Sequence, residues 1–224
     1  MPTIKVVDVL NKAKVILQDP GSVRYSNTNL LQFLNDGQRE VVLHRPDAAL
    51  VSGSFACATG SKQTLPATGN RLVDVVRNTN GKSVTQIARK TLDQNLINWH
   101  EAVAGLDGIE HFVYETIDPK NFYVYPKAAS GTHSIDIIYS TTPSNIAIAN
   151  FTTSTATINI DDVYANCLTD YVLYRAYQID SDEGNIQRSA MHFQAFAQSL
   201  SVKTQADAAS SPRPTGPEVR AIAQ

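Results

Sequence analysis

Charge is scarce in this chain. Of its 224 residues only 18% are Asp, Glu, Lys or Arg, and their formal sum is −2. Proteins that wrap nucleic acid or adhere to anionic lipid depend on a surplus of Lys and Arg, so both roles lose their electrostatic basis here. Cysteine is nearly missing. Cys57 and Cys167 have no CxxC companion, which leaves too few thiolates for a zinc cluster. The pair permits one disulfide but reads more readily as two buried thiols. Long apolar runs are absent too, and no stretch approaches the roughly 20 residues that span a bilayer. Lys5, Asp8, Lys12 and Lys14 interrupt the N-terminal segment. No signal-peptide core is legible there, and synthesis in a host cytoplasm is the expectation.

Motifs that carry chemistry are equally scarce. There is no GxxxxGK[ST] for phosphates, no GxGxxG and no GxSxG elbow. His100-Glu101 lacks the second His of an HExxH pair, and His44, His111, His133 and His192 stand in unrelated contexts. Asp180-Ser181-Asp182-Glu183-Gly184 is close to a calcium loop, but the Gly comes one position early and Met191 occupies the bidentate Glu position. A solvated turn between helices is the better reading. No catalytic residue, no cofactor site and no metal site is assigned. Arg39, Arg45, Arg71, Arg77, Arg89 and Lys90 suggest a basic strip, but Asp36, Glu40, Asp47, Asp74 and Asp93 are interspersed. That mixture suits a solvated surface or charge-matched protein contacts.

What is present is patterned. Val6, Val9, Leu10, Ala13, Ile16 and Leu17 recur at three- and four-residue steps and predict a helix over about 3–18, stopped by Asp19-Pro20-Gly21. Ser26 is an N-cap for a second helix carrying Leu30, Phe33, Leu34, Gly37 and Val41, ended by Pro46. Gly37 in mid-helix costs about 1 kcal/mol relative to Ala, which implies a close neighbour. From Leu50 to about Ile160 the texture becomes Ser, Thr, Gly and Asn between short β-branched or aromatic runs. Strands are expected at 51–56, 71–78, 83–88, 112–116, 122–125, 133–139 and 155–160. Asn80-Gly81 reads as a type I′ hairpin turn, Asp118-Pro119-Lys120-Asn121 as another turn, and 91–98 as a helical turn beside Trp99.

Asp161 or Asp162 is expected to cap a third helix. Val163, Tyr164, Cys167, Leu168, Tyr171, Val172, Leu173, Tyr174, Ala176, Tyr177 and Ile179 make that helix apolar nearly all round. It needs cover on several sides, from this chain or from a neighbouring copy. Tyr164, Leu168, Tyr171, Tyr174 and Tyr177 are the expected subunit-interface residues. A fourth helix over about 186–204 sets Ile186, Ala190, Phe193, Ala197 and Leu200 on one stripe. Beyond Gln205, three prolines and small residues predict an extended arm. The fold expectation is α+β. A helical bundle from both chain ends (1–49 and 161–204) carries a β-rich insertion (50–160) and a C-terminal arm (205–224).

These segments resemble the head–tail connector (adaptor) proteins of tailed phages. The likeness runs through Leu17-Gln18-Asp19, Arg24-Tyr25-Ser26, Phe33-Leu34-Asn35-Asp36, Gln38-Arg39-Glu40 and Arg45-Pro46-Asp47. It continues at Trp99, at Phe122-Tyr123-Val124-Tyr125-Pro126, and at Tyr174-Arg175-Ala176-Tyr177, Gly184-Asn185, Arg188-Ser189-Ala190 and His192-Phe193. It covers most of 4–200 and leaves the tail after Gln205 outside. The resemblance implies a non-enzymatic virion protein at the head–tail junction, in a ring of copies, commonly twelve, beneath the portal. That ring would prolong the DNA channel without binding DNA specifically, touch no membrane, and meet tail nozzle, fibre or other tail proteins. Arg213, Val219, Arg220 and Ile222 would anchor the arm on the portal. The rival readings are a receptor- or carbohydrate-binding module, suggested by Tyr114 and Phe122–Tyr125, and a phage hydrolase.

Overall fold

The computed structural model describes residues 2–79, 81–102, 108–129, 131–179 and 183–210. Its class is α+β, with five α-helices and two sheets among those residues. They divide into two compact units: Met1–Gln38, Ile146–Ile158 and Asp162–Gln224 in one, Arg39–Asn145 and Asn159–Asp161 in the other.

In the first unit, α1 (Val6–Ile16) buries Val6, Val9, Leu10 and Ala13, one face of a 3.6-residue period. The second helix, α2 (Asn27–His44), begins where expected: Asn29 N donates to the Ser26 hydroxyl at 3.2 Å. Gly37 is explained by contact, because a Cβ there would lie 2.8 Å from a Tyr171 ring carbon and 3.3 Å from Leu168 Cδ2. Both neighbours belong to α4 (Ala165–Ile179), which packs against α1 and against α5 (Glu183–Ser210).

Three expectations change here. Segment 155–160 is not a strand. Val6 N donates to Ala156 O and Ile158 N to Ile4 O around a single bridge between Lys5 and Thr157, and α1 then takes the partner chain away. Of the two cap candidates, Asp161 and Asp162, the Asp162 carboxylate serves the N-terminal segment instead of α4. It accepts from Thr3 N (2.8 Å), the Thr3 hydroxyl (2.6 Å) and Ile4 N (3.1 Å), while a 3-10 turn, Asp162–Tyr164, leads into α4. These donors hold the carboxyl below its ordinary value, the Thr3 hydroxyl bond foremost. Finally, α5 continues through Ser210, so 205–210 is helical rather than extended. Ala206 favours helix, and Lys203 pairs with Asp207 one turn on.

The second unit holds both sheets. One has the order β1-β7-β3, built from β1 (Leu50–Ala56), β3 (Gly69–Asn78) and β7 (Ser134–Thr141), all antiparallel. The other has the order β2-β6-β5-β4, from β2 (Gly60–Thr64), β4 (Thr85–Gln86), β5 (His111–Val113) and β6 (Asn121–Ala128), with β4 parallel to β5. Leu72, Val75, Ile135 and Ile137 from the first share a core with Phe112, Phe122 and Val124 from the second. Helix α3 (Arg89–Asn95) lies beside Trp99, whose indole N–H donates to Asp93 at 2.8 Å.

Within β3 the buried positions are Gly69, Leu72, Val75 and Asn78, a period of three. Register shifts at Gly69/Arg71, Leu72/Asp74 and Val75/Arg77 insert an extra residue each time, so alternation is lost. The reversal after β3 also departs from expectation. Gly81 lies outside the left-handed region, so this is not a type I′ turn; Gly81 N donates to Asn78 O, and Asn78 N to Lys82 O. The Asp118 turn is as expected, closed by Asn121 N on Asp118 O at 3.2 Å.

Candidate assembly surfaces

The aromatic residues of α4 are mostly used within their own unit. Tyr164, Leu168, Tyr171 and Tyr177 are buried, and Tyr174 is half-buried. Tyr171 meets Phe196 at 5.2 Å between ring centres, Tyr174 meets Phe193 at 5.0 Å, and Tyr177 stacks on His192 at 5.8 Å. The cover that this helix requires therefore comes in large part from α5 of the same chain.

Helix α5 is turned relative to expectation. Ser189, Phe196 and Leu200 are buried, whereas Ile186, Ala190, Phe193 and Ala197 are exposed, with Ile186 at 58% and Phe193 at 42%. The polar members fix this rotation. The Ser189 hydroxyl donates to Tyr174 O at 3.0 Å, and His192 Nδ1 lies 3.0 Å from Asp170. Only Leu200 of the predicted stripe faces the core. The other four form an apolar strip on the surface, of a kind that usually serves contact with other protein.

Two hollows flank the start of α4. One of about 570 Å³ is lined by Val163, Tyr164, Cys167, Ala195 and Val202; the other, about 450 Å³, by Lys12, Val15, Ile16, Thr169 and Asp170. Asn166 lines both. Val15, Ile16, Val163 and Val202 are all exposed there. Cys167 is buried, and burial raises its thiol pKa to about 12; Cys57 in the sheet unit is raised to about 11. Both are free thiols and remain protonated near neutral pH, so neither is a nucleophile.

The loop from α1 to α2 is built on Asp19. Its carboxylate accepts from Val23 N, Arg24 N and Tyr25 N at 2.8–2.9 Å, and these bonds, Tyr25 N first, keep its pKa low. Gln18 and Ser22 adopt positive φ of 55° and 56° to close the loop. Tyr25 is buried by the same fold-back, while Val23 is 92% exposed.

The sheet unit offers little chemistry. Ser61 and Thr85 hydroxyls lie 2.7 Å from Nδ1 of His100 and His111 respectively, but neither imidazole has a carboxylate partner among the described residues. Hence neither pair forms a charge-relay triad. No group of His, Cys, Asp or Glu able to hold a metal occurs among the described residues. The calcium-like segment 180–184 lies largely outside them. Phe122 and Val124 point into the core, and Tyr114 donates to Pro119 O. Tyr123 and Tyr125 pack with Trp99, His100 and His111 on the other side of β6. The candidate basic strip is neutralised in part: Arg45 pairs with Asp47, Arg77 with Asp136, and Arg89 with Asp93.

The remaining test is similarity to known proteins. The family model described as SU10 adaptor protein matches residues 4–217. The chain belongs to this phage head–tail adaptor family. No curated protein matches it. The SU10 adaptor match extends past Gln205, where the sequence likeness was expected to end, and includes Arg213 but not Val219, Arg220 or Ile222. All four of those arm positions lie outside the described residues. The family gives the chain a structural role as a phage adaptor, and none of the helices is long and apolar enough to cross a membrane among the described residues.

Proposed function

We propose that the chain is a non-catalytic head-to-tail connector of a phage virion. Copies form a ring, commonly of twelve, beneath the portal; the ring prolongs the DNA channel and gives tail nozzle, fibre or other tail proteins a platform. The observation that carries this reading is the adaptor family match over residues 4–217. A ring needs heterologous contacts whose rotation closes, and therefore two different contact faces on one subunit. The exposed strip of α5 and the hollows beside α4 supply apolar surface of that kind, with Tyr174 contributing at the α4–α5 layer. Net charge of −2 suits a channel through which DNA must slide, since a basic lumen would retain phosphates.

In this reading residues 1–49 and 161–204 form the ring body, and 50–160 meet the tail. The arm docks along the portal through Arg213, Val219, Arg220 and Ile222. Repetition in every copy raises effective concentration, so modest contacts suffice. Cryo-electron microscopy of the particle vertex, or co-assembly with the portal protein, tests the assignment. A ring beneath the portal is expected; a vertex lacking this chain overturns it. Truncation after Ser210 isolates the arm: normal assembly of that shortened chain on portals would remove the docking role.

A further inference from the structure

Strand β1 differs from the other sheet edges. Sheets expose unpaired N–H and C=O groups at their edges, and folded proteins blunt them with charge, proline, bulges or brevity. Each of the other edges here is blunted. Strand β3 has its register shifts, carries Arg71, Asp74 and Arg77, and is partly covered where Val84 N donates to Val76 O. Strand β2 is irregular between Gly60 and Lys62, and β4 is two residues long. By contrast β1, Leu50-Val51-Ser52-Gly53-Ser54-Phe55-Ala56, has no charge, no proline and an unbroken register with β7.

Its outward groups can be identified. Cys57 N donates to His133 O at 3.0 Å, next to the pair Ala56–Ser134. Hydrogen-bonded pairs alternate in an antiparallel ladder, so Val51, Gly53 and Phe55 turn their main chain toward β7. Leu50, Ser52, Ser54 and Ala56 turn theirs away, and no main-chain bond to those outward groups occurs among the described residues. On the core side a Cβ at Gly53 would meet nothing within 4 Å, between Val51, 40% exposed, and half-buried Phe55. That gap is a shelf for one apolar side chain. The other face offers the Ser52 hydroxyl, while that of Ser54 already pairs with the Thr79 hydroxyl at 2.9 Å.

We propose that β1 is an acceptor edge that takes an extended, uncharged strand of a different protein, adding it to the sheet as a fourth strand. The incoming segment alternates, with an apolar residue over Gly53 and small polar residues toward Ser52 and the Ser54–Thr79 hydroxyl pair. A second copy is the poorer occupant. Pairing β1 with its equivalent makes an isologous contact that stops at two, and a copy's other edges are blunted. The identity of the donor as a portal or tail protein rests on the adaptor reading; the acceptor edge does not.

Hydrogen exchange of the full chain, free and in purified particles, reads the outward amides. Those of Ser52, Ser54 and Ala56 should slow by about ten-fold or more in the particle. Ser52→Pro removes one outward donor while sparing the bonds to β7, and edge strands tolerate proline. It should lower incorporation by about ten-fold, and Ser54→Lys, which puts a charge on the edge, should act likewise. A fluorescein-labelled peptide, Lys-Thr-Val-Thr-Val-Thr-Val-Thr-Lys, tests the free chain by anisotropy: binding to wild type that weakens in both variants supports the acceptor edge. Unchanged exchange in particles together with normal incorporation of both variants overturns the proposal. So does a dimer of the free chain that Ser52→Pro makes monomeric. If the chain is absent from particles, the adaptor reading fails, and the peptide measurement alone decides the edge. Should Ser52→Pro fail to fold, Ser54→Lys carries both comparisons.

Discussion

The helical unit and the sheet unit satisfy their irregular main chain with different chemistry. At the joints of the helical unit two carboxylates accept several N–H groups each: Asp19 holds the α1–α2 loop, and Asp162 holds Thr3 and Ile4. In the sheet unit neutral amides do this work from buried positions. Gln63, fully buried, accepts from Ala58 N and donates to Ala58 O and Gly60 O. Asn78 accepts from Ile109 N and donates to Ile109 O and Lys82 O. The difference follows from the partners, since Asp19 and Asn78 are equally buried at 9%. Each carboxylate meets only donors, whereas Gln63 and Asn78 face N–H and C=O groups together, which only an amide can satisfy.

Exchanging the two chemistries should break the pattern most severely. Gln63→Glu buries a charge and loses the amide donors, so a loss on the order of 3–5 kcal/mol is expected at pH 7. Urea denaturation measures it, and a midpoint equal to wild type would refute the need for an amide at this position. Next comes Gly37→Ala in the helical unit. Its helix propensity gain of about 1 kcal/mol is outweighed by overpacking against Tyr171, for a net loss of about 1–2 kcal/mol. A rise in melting temperature would show that α4 yields easily.

Smaller effects sharpen the comparison. Ser140 Oγ is buried in the sheet unit with no partner among the described residues. Ser140→Ala should therefore be neutral or stabilising, by up to about 1 kcal/mol, in thermal denaturation. Smallest at neutral pH is Asp162→Asn, because Thr3 and its bonds are exposed. Its signature is acid dependence instead. Asp19 and Asp162 have folded pKa values below the ordinary 3.8. Their contribution is complete above that value and disappears as pH falls through the lower folded values. An acid titration from pH 6 to 2 should show helix loss beginning near pH 4, with a shallower slope in Asp162→Asn. Identical slopes would mean that the clamp contributes nothing to folding.

The same physics decides how much could be read from the chain. Helices that bury one face against a neighbour keep a 3.6-residue period, which is why α1, the Ser26 cap and the Gly37 contact were legible. Helix α5 was found but turned, because Ser189 and His192, polar residues with partners on α4, fix its buried face. Strand β3 was located, yet its three shifts convert the expected alternation into a period of three. Strand β2, Gly-Ser-Lys-Gln-Thr, has no apolar signal at all; its inward residue is Gln63. Asp161 and Asp162 both read as cap candidates because acids favour helix starts, and nothing local announces that Asp162 has its partner at Thr3. Among the expected interface residues, burial within the chain was invisible to a pattern that measures only how apolar a helix is.

The state of Cys57 and Cys167 bears on the life of a particle outside its host. The thiols are free, buried and protonated, and they sit in different units. A subunit folded under reducing conditions can therefore pass into air-saturated medium with its covalent structure unchanged. No disulfide contributes to its durability there, and reducing agents should neither loosen nor rescue it.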